Sequence, residues 1–120
     1  MICKIEELHL NSETSLQISP DMFYKTSDVI YADVRLTHGI LKVGDVLDKW
    51  RNYRFIDDDI DTLDEKKVSL KVQQIICYDL YMDEIDTGMT ARVFFSGEMN
   101  EIDLAKLNVK NWINISKTLA

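Results

Sequence analysis

The feature that most constrains this fold is an alternation of apolar and polar residues with a period of two. Successive side chains of a strand point to opposite faces of a sheet, so a half-buried strand shows this alternation. The pattern is clear in residues 30–36 and 89–96, and each segment predicts a strand. The apolar positions are Ile30, Ala32, Val34 and Leu36 in the first segment, and Ala91, Val93 and Phe95 in the second.

A longer alternating run spans residues 68–82, and its apolar positions share one face that only Gln74 interrupts. These positions are Val68, Leu70, Val72, Ile76, Tyr78, Leu80 and Met82. Strands usually contain about 5–6 residues, so the run is too long for one flat strand. We therefore predict a bend, a bulge or a break near Gln73 and Gln74.

The two ends of the chain are less regular. In residues 3–10 the apolar positions change phase, which fits a bulged strand or a short helix, and we favour the strand. Residues 99–107 have helical spacing and predict one or two helical turns with Asn100 as the cap. A last strand is predicted over residues 109–115. Short strands with little helix are typical of a closed barrel or a sandwich.

Composition sets the size of the core and the charge of the surface. The 120 residues are 46% hydrophobic, which suits one domain with one core. The chain has 14 Lys and Arg against 21 Asp and Glu, and its net charge of −7 opposes non-specific binding to duplex nucleic acid. No secretory signal begins the sequence, and no apolar stretch approaches the roughly 20 residues of a membrane span. We expect a cytoplasmic protein without a membrane partner.

An acidic segment at residues 57–67 has no periodic apolar face and predicts a surface loop. A negative surface favours a basic protein partner through complementary charge. The candidate partner-binding residues are Asp57, Asp58, Asp59, Asp61, Asp64 and Glu65.

The same segment begins like a calcium-binding EF-hand loop, with Asp57, Asp59 and Asp61 at the first, third and fifth positions. The match ends there, because Thr62 stands where the loop needs a glycine and Val68 where it needs a bidentate glutamate. No metal site is predicted.

A basic and aromatic segment precedes the acidic one, at residues 49–55. Aromatic rings that stack on bases, next to cations that pair with phosphates, are typical of single-strand nucleic-acid binding. The candidate RNA contacts are Lys49, Trp50, Arg51, Tyr53 and Arg54. Two other interpretations remain open: the acidic segment neutralises these cations within the protein, or their stems cover core aromatics.

Catalytic motifs are missing from the sequence. His9 and His38 have no metal-ligand spacing, and there is neither a nucleophile elbow nor a glycine-rich phosphate loop. Cys3 and Cys77 lie far apart and suggest neither a disulfide nor a metal clip. We expect a protein that is not an enzyme and that uses no cofactor or nucleotide.

Three stretches resemble the second domain of translation GTPases such as elongation factor Tu. Residues 33–48, "DVRLTHGILKVGDVLD", are similar to its strand, turn and strand, in which an Arg-bearing strand enters a Gly-Ile-Leu-Lys-Val-Gly turn. Residues 86–97, "DTGMTARVFFSG", are similar to its strand between two glycines, and residues 68–85 occupy the place of its central strand pair. The order and spacing agree over residues 22–109.

The resemblance implies an all-β fold, a small closed six-stranded barrel of the translation-factor second-domain type, with one short helical turn near the C-terminus. Only scaffold residues match, and the chain departs from the family at Val34, where a glycine usually precedes the arginine. In elongation factors this domain helps to hold the aminoacylated end of transfer RNA, but no residue of that site can be placed here. Fold does not imply function.

Three functional hypotheses follow. The first is a non-enzymatic module whose acidic face binds a basic protein, for example an immunity protein or antitoxin that blocks a basic toxin. The second is an RNA-binding or translation-associated factor that uses residues 49–55. The third is an enzyme of unknown class. The sequence leaves the oligomeric state open.

Overall fold

The structure is a computed structural model that describes residues 2–26, 29–98 and 111–119. Its elements in chain order are β1 (Ile2–Lys4), a 3₁₀ helix (Ile5–His9), β2 (Ser12–Ile18), β3 (Phe23–Lys25), β4 (Ile30–His38), β5 (Ile40–Lys42), β6 (Val46–Ile56), β7 (Asp59–Cys77), β8 (Leu80–Met82), β9 (Glu84–Asp86), β10 (Thr90–Glu98) and β11 (Trp112–Thr118).

Six antiparallel strands form a closed ring in the order β7, β10, β4, β2, β11 and β6, and β6 pairs back with β7. Closure leaves none of the six as an open edge along its whole length, which a small sheet otherwise has to protect. β1, β3 and β8 add to the outside of the ring, and β5 pairs with β9 in a separate two-stranded sheet. The predicted all-β six-stranded barrel is confirmed, and the predicted helical turn at residues 99–107 lies outside the described residues.

The alternating residues fill the barrel as predicted. The apolar face predicted for β4 and the one predicted for β10 are both buried. Their side chains are at most 8% exposed, except for the half-buried Ile30. Burial of a Val, Leu or Phe side chain contributes about 1.5–3 kcal/mol, and burial of an Ala methyl group about 0.8 kcal/mol. The buried residues of the two strands are Ala32, Val34, Leu36, Ala91, Val93 and Phe95.

The predicted irregularity in the long run is a β-bulge. Phe94 of β10 pairs with Gln74, but its neighbour Phe95 pairs with Val72, which leaves Gln73 as the extra residue. The predicted face is wrong after the bulge, because the phase changes there: Ile75 and Cys77 are buried, and Ile76 and Tyr78 are not. A two-residue turn at residues 78–79 then reverses the chain into β8, where Met82 packs against the core.

The favoured strand over residues 3–10 is wrong for most of its length. Only residues 2–4 form a strand, and a 3₁₀ helix follows at once. The backbone N–H of Lys4 lies 3.5 Å from Glu7 Oε1, and the helix ends by packing Leu8 into a small cluster with Tyr53 and Ile60. Burial of Leu8 therefore explains the change of phase that the sequence showed.

The predicted surface loop at residues 57–67 is also wrong, because β6 and β7 form a continuous hairpin around a turn at Asp57 and Asp58. Arg51 stands directly opposite Glu65, and Arg54 directly opposite Asp61. Opposite charges at such positions stabilise an antiparallel pair, which offsets the low strand propensity of aspartate.

The last strand, predicted to end at residue 115, runs from Trp112 to Thr118, and residues 109–110 of the prediction lie outside the described residues. β11 lies between β2 and β6 and completes the ring. Over the described part of the chain, no helix is long and apolar enough to cross a membrane.

Candidate binding surfaces

Three cations of β6 form ion pairs with two carboxylates of β7. The carboxylate of Glu65 forms ion pairs with Lys49 Nζ at 3.6 Å and with Arg51 Nε at 3.2 Å. The carboxylate of Asp61 forms one with Arg54 Nη2 at 3.0 Å. The sequence left this internal pairing open as one interpretation, and the structure confirms it. These five side chains are therefore occupied within the protein.

The two rings that were candidates for base stacking are buried. Trp50 is 0% and Tyr53 1% exposed, so neither ring is available to a base, and that part of the prediction is corrected. Trp50 Nε1 donates a hydrogen bond to Asn52 Oδ1 at 3.0 Å, and Gln17 Nε2 donates one to the Tyr53 hydroxyl at 3.0 Å. Burial raises the pKa of Tyr53 to about 12, so its hydroxyl keeps its proton.

Three of the six predicted acidic residues remain unoccupied. Asp57, Asp58 and Asp64 are exposed, and none of them forms an ion pair with another described residue. Asp59 differs, because Lys4 Nζ lies 2.9 Å from its carboxylate. Asp57 and Asp58 form the turn, and Asp64 lies farther along β7, opposite Asn52. We call these three residues together the acidic hairpin end.

Two exposed apolar side chains accompany the acidic hairpin end. Phe55, on β6, is 42% exposed, and Leu63, on β7, is 44% exposed. Leu63 is the extra residue of a β-bulge, because Asn52 pairs with Asp64 and Tyr53 with Thr62. Phe55 thus lies two residues before Asp57, and Leu63 lies next to Asp64, so each apolar side chain has a carboxylate close to it along the chain.

A cleft of about 600 Å³ opens where β2, β4 and β10 meet the turn after β7. Its lining includes Arg35, which is exposed and forms no ion pair among the described residues, and the rings of Tyr78 and Trp112. A second cation, Arg92, is held by Asp33 through hydrogen bonds of 2.8 and 3.1 Å. Arg35 is thus a cation of the cleft that can meet a ligand.

An aromatic ladder lies on the outer face of the same strands. Tyr31 stacks on Tyr24 at 4.7 Å and on Phe94 at 5.3 Å between ring centroids. The Arg92 guanidinium lies 5.1 Å from the centroid of the Tyr31 ring, a cation–π arrangement that fixes both side chains. The alternation in β4 predicts that Tyr31 faces away from the core, but not that three rings from three strands meet there.

The turn after β7 is the exposed feature that sequence reasoning missed. Tyr78, Leu80 and Tyr81 are 89%, 64% and 74% exposed, although the period-two pattern places Tyr78 and Leu80 on the buried face. No glycine or asparagine marks this turn, so the sequence carries no ordinary signal for it.

The two histidines lie together, although the sequence separates them by 29 positions. Their rings stack with 5.2 Å between centroids and an interplanar angle of 14°. The pKa of His9 is lowered mainly by burial and, to a smaller extent, by the neighbouring His38. Among the described residues, no group of three or more His, Cys, Asp or Glu side chains is placed to hold a metal ion.

Comparison with known proteins supports the fold. No family model and no curated protein matches the chain. A solved structure of translation elongation factor SelB from Methanococcus maripaludis, in its apo form, matches with a TM-score of 0.56 and 20% sequence identity. The match covers 89% of this chain but 20% of that one. The barrel is therefore of the translation-GTPase type, as the sequence resemblance implied, and this likeness concerns the fold alone.

Proposed function

We propose that this chain is a non-catalytic module that binds a protein with a basic surface through the acidic hairpin end. One observation carries the proposal. Asp57, Asp58 and Asp64 are exposed and make no ion pair among the described residues, whereas every cation of the neighbouring β6 segment, residues 49–54, is already paired within the hairpin. Lys66 and Lys67 follow Asp64 on β7 and offset part of its charge, so the negative field is strongest at the Asp57–Asp58 turn.

The physical consequence is selectivity for a basic partner. Complementary surface charge speeds encounter and excludes partners of like charge, while apolar area beside it supplies the contact that persists at moderate salt. Phe55 and Leu63 provide that apolar area. The net charge of −7 acts in the same direction at longer range. An immunity protein or antitoxin that blocks a basic toxin is one concrete version of this function.

RNA binding is the second candidate, and the cleft rather than residues 49–54 favours it. Trp50 and Tyr53 have no exposed face, so RNA binding through that segment lacks its stacking rings. Arg35, by contrast, is exposed beside Tyr78 and Trp112, a combination that single-strand binding uses. The translation-factor type of the barrel agrees with this candidate.

The test begins with capture of partners by the tagged protein from a lysate of its own cells, followed by identification and purification of each. Affinity is then measured for the wild type and for the triple variant Asp57→Asn, Asp58→Asn, Asp64→Asn. Asparagine tolerates the left-handed backbone of Asp57, whose φ is 53°, so we expect the variant to fold. The proposal predicts a basic partner and an affinity loss of at least about tenfold, equivalent to ~1.4 kcal/mol.

A matched control removes three other carboxylates, through Glu6→Gln, Asp21→Asn and Asp86→Asn. These side chains are exposed and make no ion pair among the described residues, so the net charge changes equally. If both triple variants lose affinity equally, the effect comes from the net charge alone, and the acidic hairpin end is not the binding site. Capture of RNA that is abolished by Arg35→Ala would establish the second candidate instead.

A further inference from the structure

The turn between β7 and β8 has an unusual backbone for its residues. Tyr78 and Asp79 have φ values of 50° and 64°, the positive pair of a type I′ turn. Asparagine and glycine are the usual residues in such a turn, and a bulky aromatic side chain at positive φ is an outlier. The fold itself would be more stable with a different residue at position 78.

The side chains of this turn add little to the barrel. Tyr78, Leu80 and Tyr81 point mostly into solvent, and neither tyrosine side chain makes a hydrogen bond or a ring contact with another described residue. The backbone on both sides of the turn is anchored, however, because Cys77 pairs with Leu80 and is itself buried. The turn thus presents exposed apolar side chains from an anchored strand end.

Carboxylates border these side chains. Asp79, Asp83 and Glu84 are exposed, and none forms an ion pair with a described residue, although Lys42 stands opposite Glu84 in the β5–β9 pair. We call residues 78–84 the tyrosine turn. Its surface is apolar at the centre, and its margin is negative except where Tyr78 borders the cleft that contains Arg35.

We propose that the tyrosine turn is a docking surface for a protein whose contact site is an apolar pocket bordered by Lys or Arg. Tyrosine is enriched among the residues that dominate binding energy, and a preformed turn loses little conformational freedom on binding. Exposed apolar side chains with a polar rim mark protein contact sites. The strained Tyr78 backbone is then a cost that the complex offsets.

The carboxylates at the margin of the tyrosine turn disfavour two other partners, a nucleic acid and a second copy of the chain. Asp79 and Asp83 repel the phosphates of a nucleic acid. In a symmetric dimer formed by two tyrosine turns, these carboxylates would approach their own copies, which is unfavourable. A basic protein satisfies both the apolar centre and the negative margin.

This inference goes beyond the proposed function, because it concerns a different surface. Asp57 and Asp58 precede the first residue of β7, whereas Tyr78 follows its last residue. The two surfaces therefore lie at opposite ends of that strand, and each can fail without the other.

The experiment places a photo-crosslinking amino acid, benzoylphenylalanine, at position 78 or 81 of the full chain and irradiates intact cells. Leu10 and Leu119, which are 65% and 56% exposed, serve as control positions. We expect a protein adduct from 78 and 81 that is missing at the controls and unchanged in the variant lacking the acidic hairpin end. The adducted protein is identified, purified and titrated against the unlabelled chain.

Two variants then separate docking from stability. Tyr78→Asn relieves the strained backbone, so it should raise the urea midpoint of unfolding while weakening binding of the identified partner. The double variant Tyr78→Asn, Tyr81→Ser should lose at least about tenfold in affinity for that partner. Asp79→Asn with Asp83→Asn should weaken the dependence of binding on salt.

Four results would overturn the proposal. They are an adduct of the chain with itself, an adduct with RNA, no protein adduct, and a protein partner whose affinity is unaffected by the tyrosine variants.

Discussion

Gly39 provides the sharpest test of how the barrel is assembled. It follows β4 with φ 78°, and a Cβ atom at this position would overlap the carbonyl oxygen of Glu13 and approach Thr14 Cα to 3.2 Å. Gly39→Ala therefore carries two costs. The left-handed backbone costs an L-residue about 1–2 kcal/mol, and overpacking against backbone that cannot yield adds about 1–3 kcal/mol. We expect a loss of ~3 kcal/mol in the free energy of unfolding, a large part of the roughly 5–15 kcal/mol typical of a domain.

Gly44→Ala is the matched control, because Gly44 has φ 98° and no atom lies within 4 Å of the point that an added Cβ would occupy. Only the backbone cost of about 1–2 kcal/mol applies there. Urea unfolding followed by tryptophan fluorescence measures both variants, since Trp50 is fully buried and reports loss of the core. If the two variants lose equal stability, the close approach of β2 to the turn does not restrict residue 39, and the reasoning fails.

Two further outcomes are expected. The lowered pKa of His9 means that the unfolded chain binds a proton more readily than the folded chain, so this residue's contribution to stability is present above its ordinary pKa of 6.5 and is lost as pH falls below it. The urea midpoint should fall between pH 7.5 and pH 5.5, and this fall should be smaller for His9→Gln than for the wild type. Equal falls in the two proteins would show that other groups cause the acid sensitivity. Asn114 is 2% exposed and donates to Ser15 Oγ at 2.7 Å and to the Leu16 carbonyl at 3.1 Å. Asn114→Ala should cost about 2 kcal/mol of unfolding free energy, because buried polar groups lose their partners, and a loss under ~0.5 kcal/mol would contradict this.

The barrel was predictable because its central strands are half buried. In β4 and β10 one face meets the core, so the alternation in the sequence states directly which side chains are inside. The bulge at Gln73 was predictable for a related reason, since the long run needed a place to bend. Local pattern and tertiary structure agree at these positions.

The candidate site was harder to predict, because burial in β6 does not follow a simple period. Leu47 and Trp50 belong to the main core, whereas Tyr53 packs with Leu8 and Ile60 in a separate cluster, so these buried side chains occur at intervals of three along β6. A period of two cannot reveal this, and Trp50 and Tyr53 therefore resemble surface rings in the sequence.

The hairpin and the turn were mispredicted for different reasons. Asp57 and its neighbours suggested a loop because aspartate is a poor strand former, and the compensating partners Arg51 and Arg54 become visible only once the register is known. At Tyr78 the backbone adopts a conformation that the residue type disfavours. Sequence propensity predicts the common outcome and misses such an exception.

The position of β11 has a consequence for biosynthesis. This strand inserts between β2, near the beginning of the chain, and β6, near its middle, so the ring stays open until residue 118 has been synthesised. Until then β2 and β6 each lack a neighbour and expose the backbone groups that β11 later satisfies. The growing chain can form its β6–β7 hairpin early, but closure has to wait for contacts between distant residues such as Ile18 and Ile113. We therefore expect the interval between hairpin formation and arrival of β11 to be the period in which this protein is most exposed to misassembly and most in need of chaperones.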